Sequence, residues 1–465
     1  MILLLLVGLS ACAVGPDFKP PQVDTPQNYR FKKVPEEAMI NLKWWELFHD
    51  PILYALVTQA LEHNRDLKAA ASRVEQARAA LGYTRADEYP AINIQAGAGT
   101  GNLSGGTRSN TRNSYAYAAP ALNWEIDFWG KFRRATESAR AQLMASEYAL
   151  RTVQIGLISA VVGTYYRLLD YHQRVNISQE TLASRQESLN IIQKRFKRGI
   201  ITELDVNQAQ IQMEIAAAAI PQYKRAVAQT ENVLSILLGR LPEPVKTGKG
   251  LNQTSPPPQV PLGLPASLLE RRPDIVEAMY VLKAQTADIG VAEAMRLPAI
   301  SLTGMLGVAS SELSNITSEG GAGSVSGGLF GPIFQFYKNI RRVEIEEART
   351  QEALYTYQNT VLTAFQEVED ALVEIDTYHK QMAAVERKEK AARNANRLAN
   401  LRYNRGVSSY LEVLETERSL FSTQLELSEL KQQYLNAYVQ LYKALGGGWP
   451  TKPKFVTISY IIVGT

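Results

Sequence analysis

Two short stretches of this sequence place acids beside a glycine bend. The first is Phe196-Lys-Arg-Gly-Ile-Ile-Thr-Glu-Leu-Asp-Val206. The second, Tyr403-Asn-Arg-Gly-Val-Ser-Ser-Tyr-Leu-Glu-Val413, follows 207 positions later. Gly199 and Gly406 suit the left-handed backbone that ends a helix. Thr202 and Ser409 suit the N-cap of the next helix, with Asp205 and Glu412 at its third position. A carboxylate there stabilises a helix N-terminus by about 0.3–1 kcal/mol. Glu415 lies three residues further on, its first-copy counterpart is Gln208, and it has no capping task. Arg198 and Arg405 immediately precede the two glycines and are candidates for contact with a partner. Other chemistry finds no footing. His49, His63, His172 and His379 are scattered without metal-ligand spacing. Gly97-Ala-Gly-Thr-Gly101 lacks the Lys-Ser/Thr and the strand-then-helix setting of a phosphate loop. No catalytic residue, metal or cofactor is expected.

The elements that must hold these bends come in duplicate. Asp66 matches Asp274, Gly82 matches Gly290, Pro90-Ala-Ile92 matches Pro298-Ala-Ile300 and Arg133-Arg134 matches Arg341-Arg342, each 208 positions apart. Leu238-Gly239 matches Leu445-Gly446. One unit is therefore written twice, which overrides the count of about three domains that length alone suggests. Residues 131–197 and 338–404 contain no proline and read as helices of roughly 100 Å at 1.5 Å per residue. Globular helices average about 11–12 residues, so these are structural columns. Each returns from its bend through a shorter helix, 203–238 and 411–445, and each is preceded by another, 66–88 and 274–296.

Between the helices the period changes to two. Ile92, Ile94, Ala96 and Ala98 alternate with Asn93, Gln95, Gly97 and Gly99; Leu122, Trp124, Ile126 and Phe128 alternate with Asn123, Glu125 and Asp127. The second copy repeats the plan over 300–308 and 327–336, each pair joined by a Gly/Ser-rich loop. An apolar face backed by acids suits a strand between lipid and water, with Trp124, Phe128 and Trp129 as candidates for an aromatic girdle. Four strands cannot close a membrane barrel, for which about eight is the minimum. Open edges are not tolerated in lipid, so several chains must share one barrel. A small soluble sheet is the competing reading.

The formal charge is +4 from 50 basic and 46 acidic residues, with no dominant basic block, so no nucleic-acid partner is expected. The single cysteine excludes a disulfide framework. No run of about 18 apolar residues suggests a transmembrane helix. Residues 1–11 read as a leader whose end, Leu9-Ser-Ala-Cys12, resembles the bacterial lipobox; Cys12 is then the lipidation site. The predicted division is leader 1–11, lipidated extended segment 12–50, first repeat 51–240 with hairpin 91–128, proline-rich connector 241–264, second repeat 265–449 with hairpin 299–336, and a tail, 450–465.

Taken in order, these features resemble the TolC/OprM type of outer-membrane efflux factor over nearly the whole chain. The resemblance rests on Cys12 with Gly15-Pro-Asp17, Asn64-Arg-Asp-Leu67, Arg272-Pro-Asp-Ile275, Asp127-Phe-Trp-Gly130, Arg-Gly at both bends, Tyr410-Leu-Glu-Val-Leu414 and Ala444-Leu-Gly-Gly-Gly-Trp449. It implies a mainly α fold with a small membrane β part. The duplicated helical hairpins form a trimeric tunnel, and four strands per chain join a shared twelve-stranded barrel. It implies a homotrimer in the outer membrane that reaches into the periplasm. Its partners are a periplasmic adaptor and an inner-membrane pump of the resistance-nodulation-division class. Its task is passive export of drugs or other toxic small molecules. By motif position Tyr403, Glu412 and Glu415, with Asp205 at the first bend, fall at the pore gate; Arg198, Gly199, Arg405 and Gly406 fall at adaptor-contact tips. The family often has a basic gate residue two positions after the second glycine, where this chain has Ser408. A duct for protein secretion and, further off, a periplasmic coiled-coil adaptor are the alternatives.

Overall fold

In a computed structural model the described residues are 13–26, 28–30, 45, 48–100, 114–254, 268–310 and 321–447. Cys12, the two strand-connecting loops, the end of the connector with the first residues of the second repeat (255–267) and the tail lie outside them. The elements run α1 (Pro51–His63), α2 (Arg65–Ala86), β1 (Ala91–Thr100), β2 (Ser114–Ile126), α3 (Lys131–Lys197) and α4 (Glu203–Leu237). After a single helical turn, Leu268–Arg271, come α5 (Pro273–Ala294), β3 (Ala299–Ser310), β4 (Gly321–Phe330), α6 (Lys338–Asn404) and α7 (Tyr410–Ala444). Both columns are continuous α-helices of 67 residues. The fourth strand departs from the expected 327–336. It lies six residues earlier because Pro332 has no N–H to give a ladder and the chain turns there. Phe336 and Tyr337 then both take left-handed backbone, φ +46° and +64°.

Two compact units cut across the two repeats. One comprises residues 1–23, 71–148 and 276–360; the other comprises 24–70, 149–275 and 361–465. Each repeat thus contributes to both.

The first unit holds a four-stranded antiparallel sheet in the order β1-β2-β3-β4. Opposite pairs such as Ile92↔Leu122, Leu122↔Gly304 and Gly304↔Val325 carry one apolar face across all four strands. The other face carries Asn123, Thr303 and Ser326, opposite one another in turn, with the Thr303 and Ser326 hydroxyls hydrogen-bonded at 2.7 Å. Period-two alternation puts the two chemistries on opposite sides. Pro120 interrupts the central β2–β3 ladder, and at Gly307 a side chain would meet Ala119, so the strands approach there more closely than a Cβ allows. Trp124 and Trp129 are tied down where strands meet helices: their indole N–H groups donate to Glu88 O at 3.1 Å and Pro298 O at 2.8 Å. The N-terminal segment is stapled alongside. Val14 N–H donates to Trp129 O, and the buried Arg134 guanidinium reaches Val14 O, Gly15 O and, at 2.8 Å, the Asp17 carboxylate.

The second unit is helical. Leu53, Val57, Tyr165, Tyr166, Leu234, Leu238, Val439 and Tyr442 fill its core. Each such side chain contributes about 1.5–3 kcal/mol by leaving water. Asp50 caps α1 through Ile52 N–H at 2.9 Å and also accepts the Tyr165 hydroxyl at 2.6 Å. The same hydroxyl accepts Gly248 N–H at 2.9 Å, which fixes the connector against α3. The return helices end alike. Asn64 Nδ2 donates to Leu237 O and Arg272 Nη1 to Ala444 O, both at 3.0 Å. The two carbonyls are 207 positions apart and the two donors 208, so one capping contact is made twice with different side chains.

Candidate functional site

Both bends close by the same backbone device. Ile200 N–H donates to Arg195 O and Gly199 N–H to Phe196 O; Val407 N–H donates to Arg402 O and Gly406 N–H to Tyr403 O. Gly199 and Gly406 have φ of +69° and +75°, the left-handed values this closure demands. Asp205 then works as the capping acid, accepting Thr202 N–H at 3.1 Å and the Thr202 hydroxyl at 2.9 Å.

The bends meet through an apolar cluster of Leu189, Ile192, Ala209, Ala399, Tyr410, Val413 and Leu414, with Tyr403, Ile201 and Val206 packed against it. The rings of Tyr403 and Tyr410 lie 5.2 Å apart. The Arg195 guanidinium stacks 4.7 Å from the Tyr403 ring and donates to Asn404 Oδ1 at 3.0 Å, tying the end of α3 to the end of α6. Burial, and next the Glu417 charge, pushes the Tyr410 hydroxyl well above its ordinary range; Asp205 adds in the same direction.

The acids singled out from the sequence differ in setting. The capping pair expected of Ser409 and Glu412 is not formed, since Ser409 makes no side-chain cap; Glu412 is exposed and instead pairs with Arg402 across the second bend, Oε1 to Nε 3.3 Å. Glu415 is exposed and, among the described residues, pairs only along its own helix, with Arg418 at 3.5 Å. Asp205 and Tyr403 are half-buried, and Arg198, Gly199, Arg405 and Gly406 are exposed. Asp205 is near enough to Tyr410 to act on it, whereas Glu415 points away from the apolar cluster into solvent. Tyr403 OH and Ser408 Oγ are buried without a hydrogen-bond partner among the described residues.

Three residues escaped the sequence reading. Arg195 and Arg402 stand four positions before the two glycines, a repeated arginine that could have been noticed. Arg185 left no such signal. It is buried between α3, α4 and α7, where it donates to Gln212 O and, at 3.5 Å, to Glu417 O, with its guanidinium 5.1 Å from the Phe421 ring. Burial lowers its pKa, and burial raises that of the neighbouring Glu417 against the pull of Arg185. Among the described residues no three His, Cys, Asp or Glu side chains gather as a metal site, and no helix is long and apolar enough to cross a membrane.

The amphipathic four-stranded sheet, the duplicated 67-residue helices and the paired glycine bends match the elements of outer-membrane efflux channels. The chain belongs to the outer membrane efflux protein family, which matches residues 56–240 and 264–447, one span in each repeat. It is similar to the solvent efflux pump outer membrane protein SrpC of Pseudomonas putida, 36% identical over 461 residues, covering 97% of each chain. It is also similar to the cation efflux system protein CusC of Escherichia coli, 32% identical over 456 residues, covering 95% of this chain and 97% of that one. Among solved structures, the outer-membrane channel OprN superposes with a TM-score of 0.88 at 30% identity, covering 94% of this chain and all of the other. The protein is an outer-membrane component of an efflux pump.

Proposed function

We propose that three copies of this chain enclose one conduit, a twelve-stranded barrel continued by a helical tunnel, anchored through Cys12. The observation that carries this reading is the sheet: the outer edges of β1 and β4 have no partner strand among the described residues, and one face exposes Ile92, Ile94, Leu306, Val325 and Leu329. Unpaired edges are untenable in lipid. Three four-stranded sheets close a barrel of the size range known for such channels. The conduit passively releases drugs or other toxic small molecules delivered by a resistance-nodulation-division pump through a periplasmic adaptor. Relatives named for solvents and for cations share this fold, so cargo is chosen upstream of this chain. The adaptor docks on the bends. Each presents the same exposed set at equivalent positions: Arg198, Ile200 and Leu204 on the first, Arg405, Val407 and Leu411 on the second.

In the closed conduit Asp205, Tyr403, Glu412 and Glu415 line the narrow end. Three-fold rings of exposed Glu412 and Glu415 favour cations, each carboxylate drawing counter-ions over about 8 Å at physiological salt. Single-channel recording of the Glu412→Ala/Glu415→Ala variant in planar bilayers is expected to show loss of cation preference with the trimer intact. Unchanged selectivity would remove these acids from the gate.

A further inference from the structure

Where strands give way to columns, the two repeats carry similar cations but not the same acids. In the first repeat the cations are matched. Lys131 Nζ meets Glu125 at 2.5 Å, Arg133 Nε meets Asp127 at 3.2 Å, and Arg134 meets Asp17 at 2.8 Å and Glu137 at 2.9 Å. Asp127 also accepts the Phe132 and Arg133 N–H groups at the start of α3. By the 208-residue offset Arg134 corresponds to Arg342, but Glu125 corresponds to Ile333, Asp127 to Gln335 and Glu137 to Ile345. The second repeat thus has the arginine and lacks the three carboxylates. Lys338, the first residue of α6, adds another cation. Among the described residues Lys338 makes no ion pair, and the Arg342 guanidinium meets no carboxylate, donating to Met295 Sδ at 2.9 Å. The two cations are four positions apart and stand on one side of α6. Like charges so placed repel each other, and the positive end of the helix repels both.

Both cations line a cavity of 710 Å³ within the first unit, whose wall includes Phe330, Ile333 and Phe334. Small-molecule sites fall in the range of about 300–1,000 Å³. The three apolar side chains are 83%, 102% and 71% exposed, a bare patch beside unmatched charge. The acids of the cavity, Glu125 and Asp127, are those already held by Lys131 and Arg133. Phe336 and Tyr337, both in left-handed backbone, carry the chain from the apolar wall to Lys338. Strain of this kind persists where the surroundings enforce it, often at a ligand clamp. Ala299, opposite Phe330, shares one face of β3 with Ser301 and Thr303, so the cavity opens on the polar side of the sheet.

We infer that this cavity binds an amphipathic anion. An aromatic or aliphatic body lies against Phe330, Ile333 and Phe334, and a carboxylate, sulfonate or phosphate sits between Lys338 and Arg342. Arg342 supplies a planar fork of donors and Lys338 a point charge. The bound anion replaces the carboxylates that the first repeat carries on its own chain and the second does not. The site is built from one chain, so it goes beyond the proposed conduit and stands or falls separately from the way copies assemble.

The probe is 2-naphthalenesulfonate, titrated by calorimetry into the full-length protein as isolated from outer membranes and placed in phosphatidylcholine nanodiscs. Saturable binding is expected, at least about tenfold tighter than that of the neutral 2-naphthalenemethanol. Lys338→Gln/Arg342→Gln should weaken it at least about tenfold, and Phe334→Ala roughly fivefold. Ile333→Glu/Gln335→Asp puts back two acids of the first repeat without removing a cation, and should weaken binding as much as the loss of both cations. Discs containing phosphatidylglycerol, at about 0.3 M salt to screen their surface, identify the source of the anion. Weaker apparent binding there means that lipid headgroups occupy the site; equal binding means that it takes anions from water, and either result upholds the site. No saturable binding, equal affinity for sulfonate and alcohol, or binding that both double variants leave unchanged overturns it.

Discussion

Four glycines end helices in this chain by the same closure, yet they sit in two unlike settings. Gly199 and Gly406 at the bends have φ of +69° and +75°, and a Cβ added to either meets nothing within 4 Å. Gly239 and Gly446 end the return helices at φ +72° and +69°, but a Cβ on Gly239 would lie 2.3 Å from His63 O and one on Gly446 2.9 Å from Arg272 Cα. At the bends only the backbone angle demands glycine, and the surrounding space is free for another molecule. At the return ends the angle and the packing demand it together, and the space is already taken by the start of the neighbouring helix. One motif, repeated by duplication, thus serves an open surface in one place and a closed joint in the other.

The sharpest way to break this comparison is to add the methyl group. Gly239→Ala is expected to lose about 1–2 kcal/mol from left-handed backbone and about 1–3 kcal/mol more from the clash with His63 O. Gly199→Ala should lose only the first part. Apparent melting temperatures at one heating rate would rank them; equal losses would mean the two settings do not differ. Next in size is the cap on each return helix. Arg272 is buried, contacts Asp274 at 2.6 Å and Glu367 at 2.7 Å, and also caps Ala444 O. Arg272→Ala should cost about 1.5–3 kcal/mol. Asn64 caps Leu237 O and, through its Oδ1, Leu67 N–H; Asn64→Ala should cost about 0.5–2 kcal/mol.

The smallest effect lies on the bend side, at the buried Glu417. Burial raises its folded pKa, so the folded state holds that proton more tightly than the unfolded chain does. Its contribution to stability is therefore full at low pH and is lost as the pH rises through the folded value. Glu417→Gln should raise the melting temperature relative to wild type more at pH 8 than at pH 5. An equal difference at both would show that the carboxyl is solvated.

The columns were legible because proline is absent over 131–197 and 338–404, and their observed ends agree with those limits. The bends were legible because their glycines act locally; the capping acid was read rightly at Asp205 and wrongly at Glu412, which turns to Arg402 instead. The fourth strand was misplaced because Gly321, Gly323, Gly327 and Gly328 leave its period weak, and register there is set by β3 instead. Arg185 was invisible for a different reason: its partners Gln212 and Glu417 lie on other helices and meet it only through packing. The same limit applies to the compact units, which divide the chain crosswise where the duplication divides it lengthwise.

The staple at Arg134 sets a depth gauge. Ala13 lies so close to Gly130 that a Cβ on the glycine would come within 2.6 Å of it, and Val14 is bonded to Trp129 O. One residue of chain, about 3.8 Å, separates Ala13 from Cys12. The lipidation proposed for Cys12 would therefore leave almost no leash between its acyl chain and the foot of β2.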